Sequence, residues 1–329
     1  GPSGCGKSMT LKCIAGVVQP DRGRIVLNNR VLFDSETHLN LPPQERHVGY
    51  LFQNYALFPH MTVMQNVLVG AVGQTRSERE ASARKQLEKV QLEGLFDRRP
   101  SELSGGQQQR CAMARILASE PELILLDEPF SALDGYLRWQ LELELNDTLR
   151  AFPGGAVYVS HNRDEVYRLC NSVCVIDRGM SDKKVPVKEL FSAPATLAAA
   201  LISGCKNVSR AHATGEKILA CSDWGIELQT ALSIRGEVQY VGLRAHYFTV
   251  LDGVSESENV IPCEVDRVID NTFSTIVMAR TAQGALLRYE CSKESWAARG
   301  DSKRILLHIA PEHVMPLVES TAKEEISHA

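Results

Sequence analysis

The sequence has 329 residues, 44% hydrophobic and 23% charged, enough for two domains with ample cores and typical of a soluble globular protein. Its net charge of −4 gives no bulk electrostatic reason to bind nucleic acid. The nine cysteines are odd in number, scattered and never spaced C-x-x-C, so they read as reduced core thiols of a cytosolic protein rather than a disulfide frame or zinc site; no apolar run reaches the ~18 residues of a membrane span.

The chain opens on Gly1-Pro2-Ser3-Gly4-Cys5-Gly6-Lys7-Ser8, the spacing G-x-x-x-x-G-K-[ST] of a phosphate-binding loop. Glycines let successive backbone N–H groups converge on one anion, Lys7 reaches the outer phosphates, and Ser8 offers a hydroxyl to Mg²⁺. A helix from Met9 to about Gly16 turns its positive end to the same phosphates. Arg24 to Leu27 reads as a strand entering a hairpin at Asn28-Asn29, and Val48 to Phe52 as a strand ending at Gln53. The stretch 55–100 is helical, with a capping box expected at Ser77 and Glu80.

Leu103-Ser104-Gly105-Gly106-Gln107 opens a further helix and forms a second anion-binding turn of backbone amides. One domain has no use for two such cradles about a hundred residues apart, whereas two copies arranged head to tail each close this turn over the other's loop. Leu123-Ile124-Leu125-Leu126 then run into Asp127-Glu128, as in a strand buried on both faces of a parallel sheet. Asp127 at the strand's C-terminal edge is placed to hold Mg²⁺ with Ser8, and Glu128 to orient or deprotonate water. Gln53 can contact the metal or that water, and His161, after the strand 156–159, is placed near the γ-phosphate. Leu137, Leu141 and Leu145 mark a helix, and 173–176 a further strand. Alternating strands and helices predict a doubly wound α/β sheet. From residue 234 short strands with polar turns (237–244, 260–268, 275–279, 285–291, 304–309) predict a small all-β, barrel-like domain.

These residues in this order resemble the nucleotide-binding subunit of ATP-binding-cassette (ABC) transporters: the phosphate loop at 1–8, a glutamine loop at Gln53, the signature at 103–107, the magnesium strand at 123–128, an aspartate loop ending at Asp134, and the switch histidine His161. The resemblance implies a P-loop ATPase with a helical subdomain at about 54–105 and ATP and Mg²⁺ as cofactors. Residues 1–8, Ser104, Gly105, Gly106, Gln107 and Asp134 would bind nucleotide across a homodimer. Ser8, Gln53 and Asp127 would serve the metal, with Glu128, His161 and Gln53 catalytic.

The segment Phe52 to Val63 resembles the importer branch, which implies permease subunits docked at 54–63, a substrate-binding protein acting indirectly, and a peripheral location on the cytoplasmic face of the membrane. The all-β domain resembles the oligonucleotide-binding-like TOBE type. The stretches 203–211 and 240–246 look most like molybdate or tungstate importer ATPases, with sulfate, polyamine, sugar or iron importers and soluble cassette ATPases as alternatives. The expected boundaries are 1–202 for the ATPase, 203–233 for a linker, 234–318 for the β domain and 319–329 for a tail. Lys206, Ser209, Arg244 and His246 are candidates for an oxyanion site there; solvated charges on an inert module are the alternative. The resemblance further implies that strands and an adenine-stacking aromatic lie upstream of Gly1. The chain therefore reads as truncated, with low stability and weak ATP affinity expected.

Overall fold

A computed structural model describes residues 1–131, 135–234, 236–251, 258–299 and 302–319. The chain divides into two compact units, Ser3–Cys170, and Asn171–Ala329 with Gly1–Pro2.

The unit Ser3–Cys170 begins with helix α1 (Lys7–Ala15), followed by an antiparallel sheet of β1 (Arg24–Leu27), β2 (Arg30–Asp34) and β3 (Leu39–Asn40). Three parallel strands then form its centre, β4 (Val48–Leu51), β5 (Leu123–Asp127) and β6 (Gly155–Val159), with β5 in the middle. Between β4 and β5 lie α2 (Val63–Leu68), α3 (Arg76–Lys89) and α4 (Gly105–Ala118); α5 (Gly135–Ala151) joins β5 to β6, and α6 (Arg163–Leu169) follows. The apolar run of β5 is used on both faces. Leu125 packs with Leu11 and Ala15 of α1, while Ile124 and Leu126 pack with Ala112, Met113 and Ile116 of α4 and Leu141 and Leu145 of α5. This layering is the α/β arrangement expected from the alternation of elements. Side-chain alternation along β5 puts Asp127 on the α1 side, at the strand's C-terminal end.

Two local expectations shift. Helix α3 is capped by Thr75 with Glu78, two residues before the expected box, because Glu78 Oε2 accepts from both Gln74 N and Thr75 N. Residues 173–176 do not form one strand: β7 (Ser172–Val173) and β8 (Ile176–Asp177) pair with β10 (Val185–Pro186) and β9 (Met180–Ser181) respectively. Strands of two residues provide too little pairing to be read from an apolar run.

The other unit continues with α7 (Val187–Ser192) and α8 (Leu197–Ile202). The stretch 203–233, expected as a linker, instead carries β11 (Asn207–Ala213), β12 (Ile218–Cys221) and β13 (Ile226–Gln229). Its Leu219, Cys221, Trp224 and Leu228 are buried, and the Ser- and Gly-containing turns between such short strands are what make it look polar. With β14 (Tyr240–Leu243) and β20 (Met315–Leu317) they form one five-stranded antiparallel sheet. A second consists of β15 (Thr249–Leu251), β16 (Val260–Asp270), β17 (Thr275–Thr281), β18 (Leu286–Cys291) and β19 (Arg304–His308), with α9 (Lys293–Ala297) after β18. The two open sheets share a core of Leu219, Val241, Ile261, Val277, Leu287 and Leu307, where a single barrel was expected. Among the described residues no helix is long and apolar enough to cross a membrane.

Candidate functional site

The predicted phosphate loop is a turn entering α1, and its two inner glycines supply backbone conformations that side-chain-bearing residues rarely adopt, with φ of +79° at Gly4 and +105° at Gly6. Gly6 is the N-cap of α1, with no side chain satisfying the helix's first N–H groups and no acidic residue in its first turn. That leaves a positive helix end addressed by the loop, suited to an anion. Lys7 lies at this end, its Nζ 3.8 Å from Cys5 Sγ, which is buried.

The centre of the site is Asp127. Ser8 Oγ donates to Asp127 Oδ1 at 2.8 Å, joining α1 to the C-terminal end of β5. Tyr50 Oη donates to Asp127 Oδ2, also at 2.8 Å, so both carboxylate oxygens are engaged. Burial first, and then the bond to Asp127, push the Tyr50 phenol above its ordinary range, keeping it a donor. Tyr50 carries no motif and was not singled out in the sequence; the alternation of β4 beside β5 was the available signal. A serine hydroxyl against a carboxylate is a hard-oxygen pair, and these two side chains fit the first ligands of Mg²⁺.

Glu128 leaves the line of the strand. Its amide still donates to Val159 O at 3.0 Å, but its φ of +46° is in the left-handed region, a strain of about 1 kcal/mol for a residue with a Cβ. The backbone turn separates its side chain from that of Asp127. Glu128 Oε2 instead meets His161 Nδ1 at 3.2 Å, bringing together two residues 33 positions apart in sequence. Gln53 Nε2 donates to Ser131 Oγ at 2.9 Å, and Ser131 Oγ donates to Glu128 O at 3.0 Å, so Gln53 reaches the segment after Glu128. Its hydrogen bond goes to Ser131 rather than to Asp127.

The signature turn closes on itself. Ser104 Oγ accepts from Gln107 N at 3.3 Å and Gln107 Oε1 accepts from Ser104 N at 2.9 Å, a reciprocal capping box at the start of α4. Gly106 sits where a Cβ would lie 3.1 Å from Leu141 Cδ1, so glycine lets α4 approach α5. Asp134 lies outside the described residues, as does the side chain of Leu137.

The segment 54–63 is rigidly tied down. Tyr55 and Ala56 both have positive φ, +60° and +46°, and Arg115 on α4 donates to their carbonyls at 3.0 and 2.9 Å. Its guanidinium also lies 5.6 Å from the Phe58 ring centroid. The fully buried Asn66 amide accepts from Phe58 N and donates to the carbonyls of Phe58, Met61 and Thr62. Arg46, also unmarked by any motif, is fully buried and donates to Leu41 O, Cys13 O, Ile14 O and Asn40 Oδ1, clamping the C-terminal end of α1.

The four oxyanion candidates differ in their surroundings. Arg244 is buried and donates to Ser203 O, Ser203 Oγ and Phe191 O, and Ser209 Oγ donates to Arg210 O and accepts from Asp223 N. Both side chains serve local structure, while Lys206 and His246 are exposed.

The family described as ABC transporter matches residues 1–131. The chain is 42% identical over 225 residues to the Fe(3+) ions import ATP-binding protein FbpC 2 of Haemophilus influenzae, covering 67% of this chain and 62% of that protein. It is 38% identical over 274 residues to the molybdate/tungstate import ATP-binding protein WtpC of Pyrococcus horikoshii, covering 82% of this chain and 76% of that one. Among solved structures, cbiO1 of Clostridium perfringens, described as part of the ABC transporter complex cbiONQ, aligns with a TM-score of 0.51 and 28% identity, over 58% of this chain and 76% of that one. The chain therefore belongs to the ABC transporter family. It spans 62% of the length of the Haemophilus relative.

Proposed function

We propose that this chain is the ATP-hydrolysing subunit of an ABC importer. The observation that carries the reading is the constellation at the β5 edge, where Ser8 meets Asp127 at 2.8 Å and Glu128 meets His161 at 3.2 Å beside a positive helix end. The loop amides of residues 1–8 and Lys7 hold the polyphosphate, and Ser8 and Asp127 hold Mg²⁺, with Gln53 near them. The metal, when bound, neutralises charge developing on the phosphoryl oxygens. Glu128 accepts a proton from water as its oxygen bonds to the γ-phosphorus; the bond from that phosphorus to the β–γ bridging oxygen breaks, leaving ADP and phosphate. His161 holds Glu128 and contacts the γ-phosphate.

A second copy, arranged head to tail, completes the site in this reading. Ser104, Gly105, Gly106 and Gln107 at the start of α4 would form a lid for a partner's nucleotide, the Ser104 and Gln107 amides being engaged in the capping box within one chain, and Asp134 would bridge the two copies. The segment 54–63, held in an unusual backbone conformation by Arg115 and Asn66, suits a docking face for a permease. In this reading the chain is peripheral on the cytoplasmic face, fed by a substrate-binding protein. The two sheets of the second unit form a TOBE-type regulatory domain.

For cargo, we carry molybdate or tungstate as the leading reading, on the likeness of the stretches 203–211 and 240–246 and on the 38% identity to the Pyrococcus relative over 274 residues; a polyamine is a further reading, since a spermidine/putrescine import ATP-binding protein aligns over 290 residues at 34% identity. Iron is the second reading, favoured by the 42% identity to the Haemophilus relative.

Glu128→Gln tests the mechanism: turnover should fall at least about 100-fold while ATP remains bound and dimers accumulate. Unchanged hydrolysis would overturn it. Cargo is tested by assembling the chain with its permease in vesicles and comparing stimulation of turnover by molybdate-loaded and Fe³⁺-loaded binding protein.

A further inference from the structure

The turn that presents His161 is anchored by a carboxylate four residues further on. Glu165 is 4% exposed, and its Oε2 accepts from Tyr158 Oη at 2.7 Å and Ser160 Oγ at 2.8 Å. Its Oε1 accepts from Asn162 Nδ2 at 3.1 Å and lies 3.8 Å from Arg138 Nη1 on α5. Both sequence neighbours of His161 are thus bound to one side chain. Ser160 Oγ also accepts from Asn162 N at 2.9 Å, which closes a ring of hydrogen bonds beneath the histidine. His161 is the outward apex of that ring, 58% exposed, with its Nδ1 against Glu128. A side chain so open to solvent has few packing contacts to fix it, so its approach to Glu128 depends on where the backbone puts its Cα.

Local structure alone does not call for a carboxylate here. Asn162 already caps α6, accepting from Asp164 N and Glu165 N, and a glutamate complements a helix N-terminus equally well from the surface. Burying a charge costs several kcal/mol unless its lone pairs are filled, and here they are filled by groups that flank His161. The anchor is itself held: Arg168, on the same helix, grips the buried Glu142 of α5 with two bonds of 2.5 and 2.9 Å. Burial first, and the Glu165 charge second, raise the Tyr158 phenol above its ordinary range, which keeps it a donor to the carboxylate.

We propose that Glu165 is a positioning residue for His161, setting the turn of Ser160 and Asn162 so that the imidazole reaches Glu128. It touches neither nucleotide nor metal and acts on the reaction only through His161. The inference rests on the reading of Glu128 and His161 as the pair at the γ-phosphate.

The test is a double-mutant cycle on the full chain, with Glu165→Gln, His161→Ala and the pair combined, measuring kcat, KM for ATP and thermal stability. Gln is isosteric but replaces one acceptor oxygen with a donor group, which breaks the ring. The expected result is a roughly tenfold fall in kcat for Glu165→Gln with KM unchanged, and no further fall when it is added to His161→Ala. Ser160→Ala, which removes one member of the ring while sparing the carboxylate, should lower kcat in the same direction by less and keeps the test open if Glu165→Gln folds poorly.

An equal fall in both backgrounds, or a loss that follows stability and KM, would mean that Glu165 is only structural and overturns the proposal. Wild-type kcat in Glu165→Gln, with His161→Ala impaired, overturns it while leaving the proposed function intact. Full activity in His161→Ala would instead remove the proposed role of the histidine, and this inference with it.

Discussion

Replacing Arg46 with Met tests whether a buried cation holds the helix behind the phosphate loop. The guanidinium makes four hydrogen bonds of 2.7 to 2.9 Å, two of them to the last carbonyls of α1, and Gly16 is packed so closely that a Cβ there would lie 2.6 Å from Arg46 Nε. Met keeps the apolar stem and removes every donor. Cys13 O retains Gly16 N at 3.2 Å and the exposed Asn40 side chain turns to water, so the groups left without their partner are Ile14 O and Leu41 O. At about 1–3 kcal/mol for each buried orphan, less what is recovered by no longer burying the cation, the net cost is about 3 kcal/mol. That corresponds to roughly a 150-fold change in the unfolding constant and a fall in Tm of about 6–12 °C for a unit of this size. Urea melts followed by circular dichroism give the energy, and hydrogen exchange over residues 7–16 should rise selectively. ATP affinity should fall as well, because the loop is the N-terminal extension of this helix. A loss below about 0.5 kcal/mol, the range of an ordinary surface change, would show that Arg46 is dispensable and refute the clamp.

Three further outcomes can be checked. Backbone N–H bonds from Thr75 first, and then from Gln74, hold the Glu78 carboxyl below its usual 4.5, so its contribution is fully present above that pH and is lost as pH falls through the lower folded value. The stability gap between the wild type and Glu78→Gln, measured by denaturant melts from pH 7 down to about 3, should close on the acid side. Gly49→Ala places a Cβ 2.3 Å from Ile116 Cγ2 and should cost about 1–3 kcal/mol, with a clearly smaller penalty in an Ile116→Ala background. Arg244→Met should destabilise the second unit by about 2–3 kcal/mol through loss of its hydrogen bonds to Ser203 and Phe191. Calorimetry with molybdate should give the same heat for this variant as for the wild type; loss of heat would restore Arg244 as an anion ligand.

Short-range chemistry was legible in the chain itself. Glycine and lysine at fixed spacing, an apolar run ending in Asp127-Glu128, and a serine three residues before Gln107 specify the loop, the central strand and the α4 cap, because each depends on neighbours a few residues away. Five strands of the second unit from residue 240 onward were visible by the same alternation, whereas the three-residue strands β15 and β20 were too short to be read. The three strands of 207–229 were not, since their turns carry the polar composition of a linker and only the shared core reveals them. Pairing across long separations was decided by the tertiary structure. Tyr50, Arg46 and Glu165 carry no motif, yet each sits where strand register or helix packing brings distant carbonyls, hydroxyls or carboxylates within hydrogen-bond reach. The same holds for the candidate oxyanion ligands: charge and type nominated Arg244, but its buried guanidinium donates to the Ser203 and Phe191 carbonyls and to Ser203 Oγ. Residue type determines what a side chain can do, and the packing of elements far apart in sequence determines which partner is there to do it with.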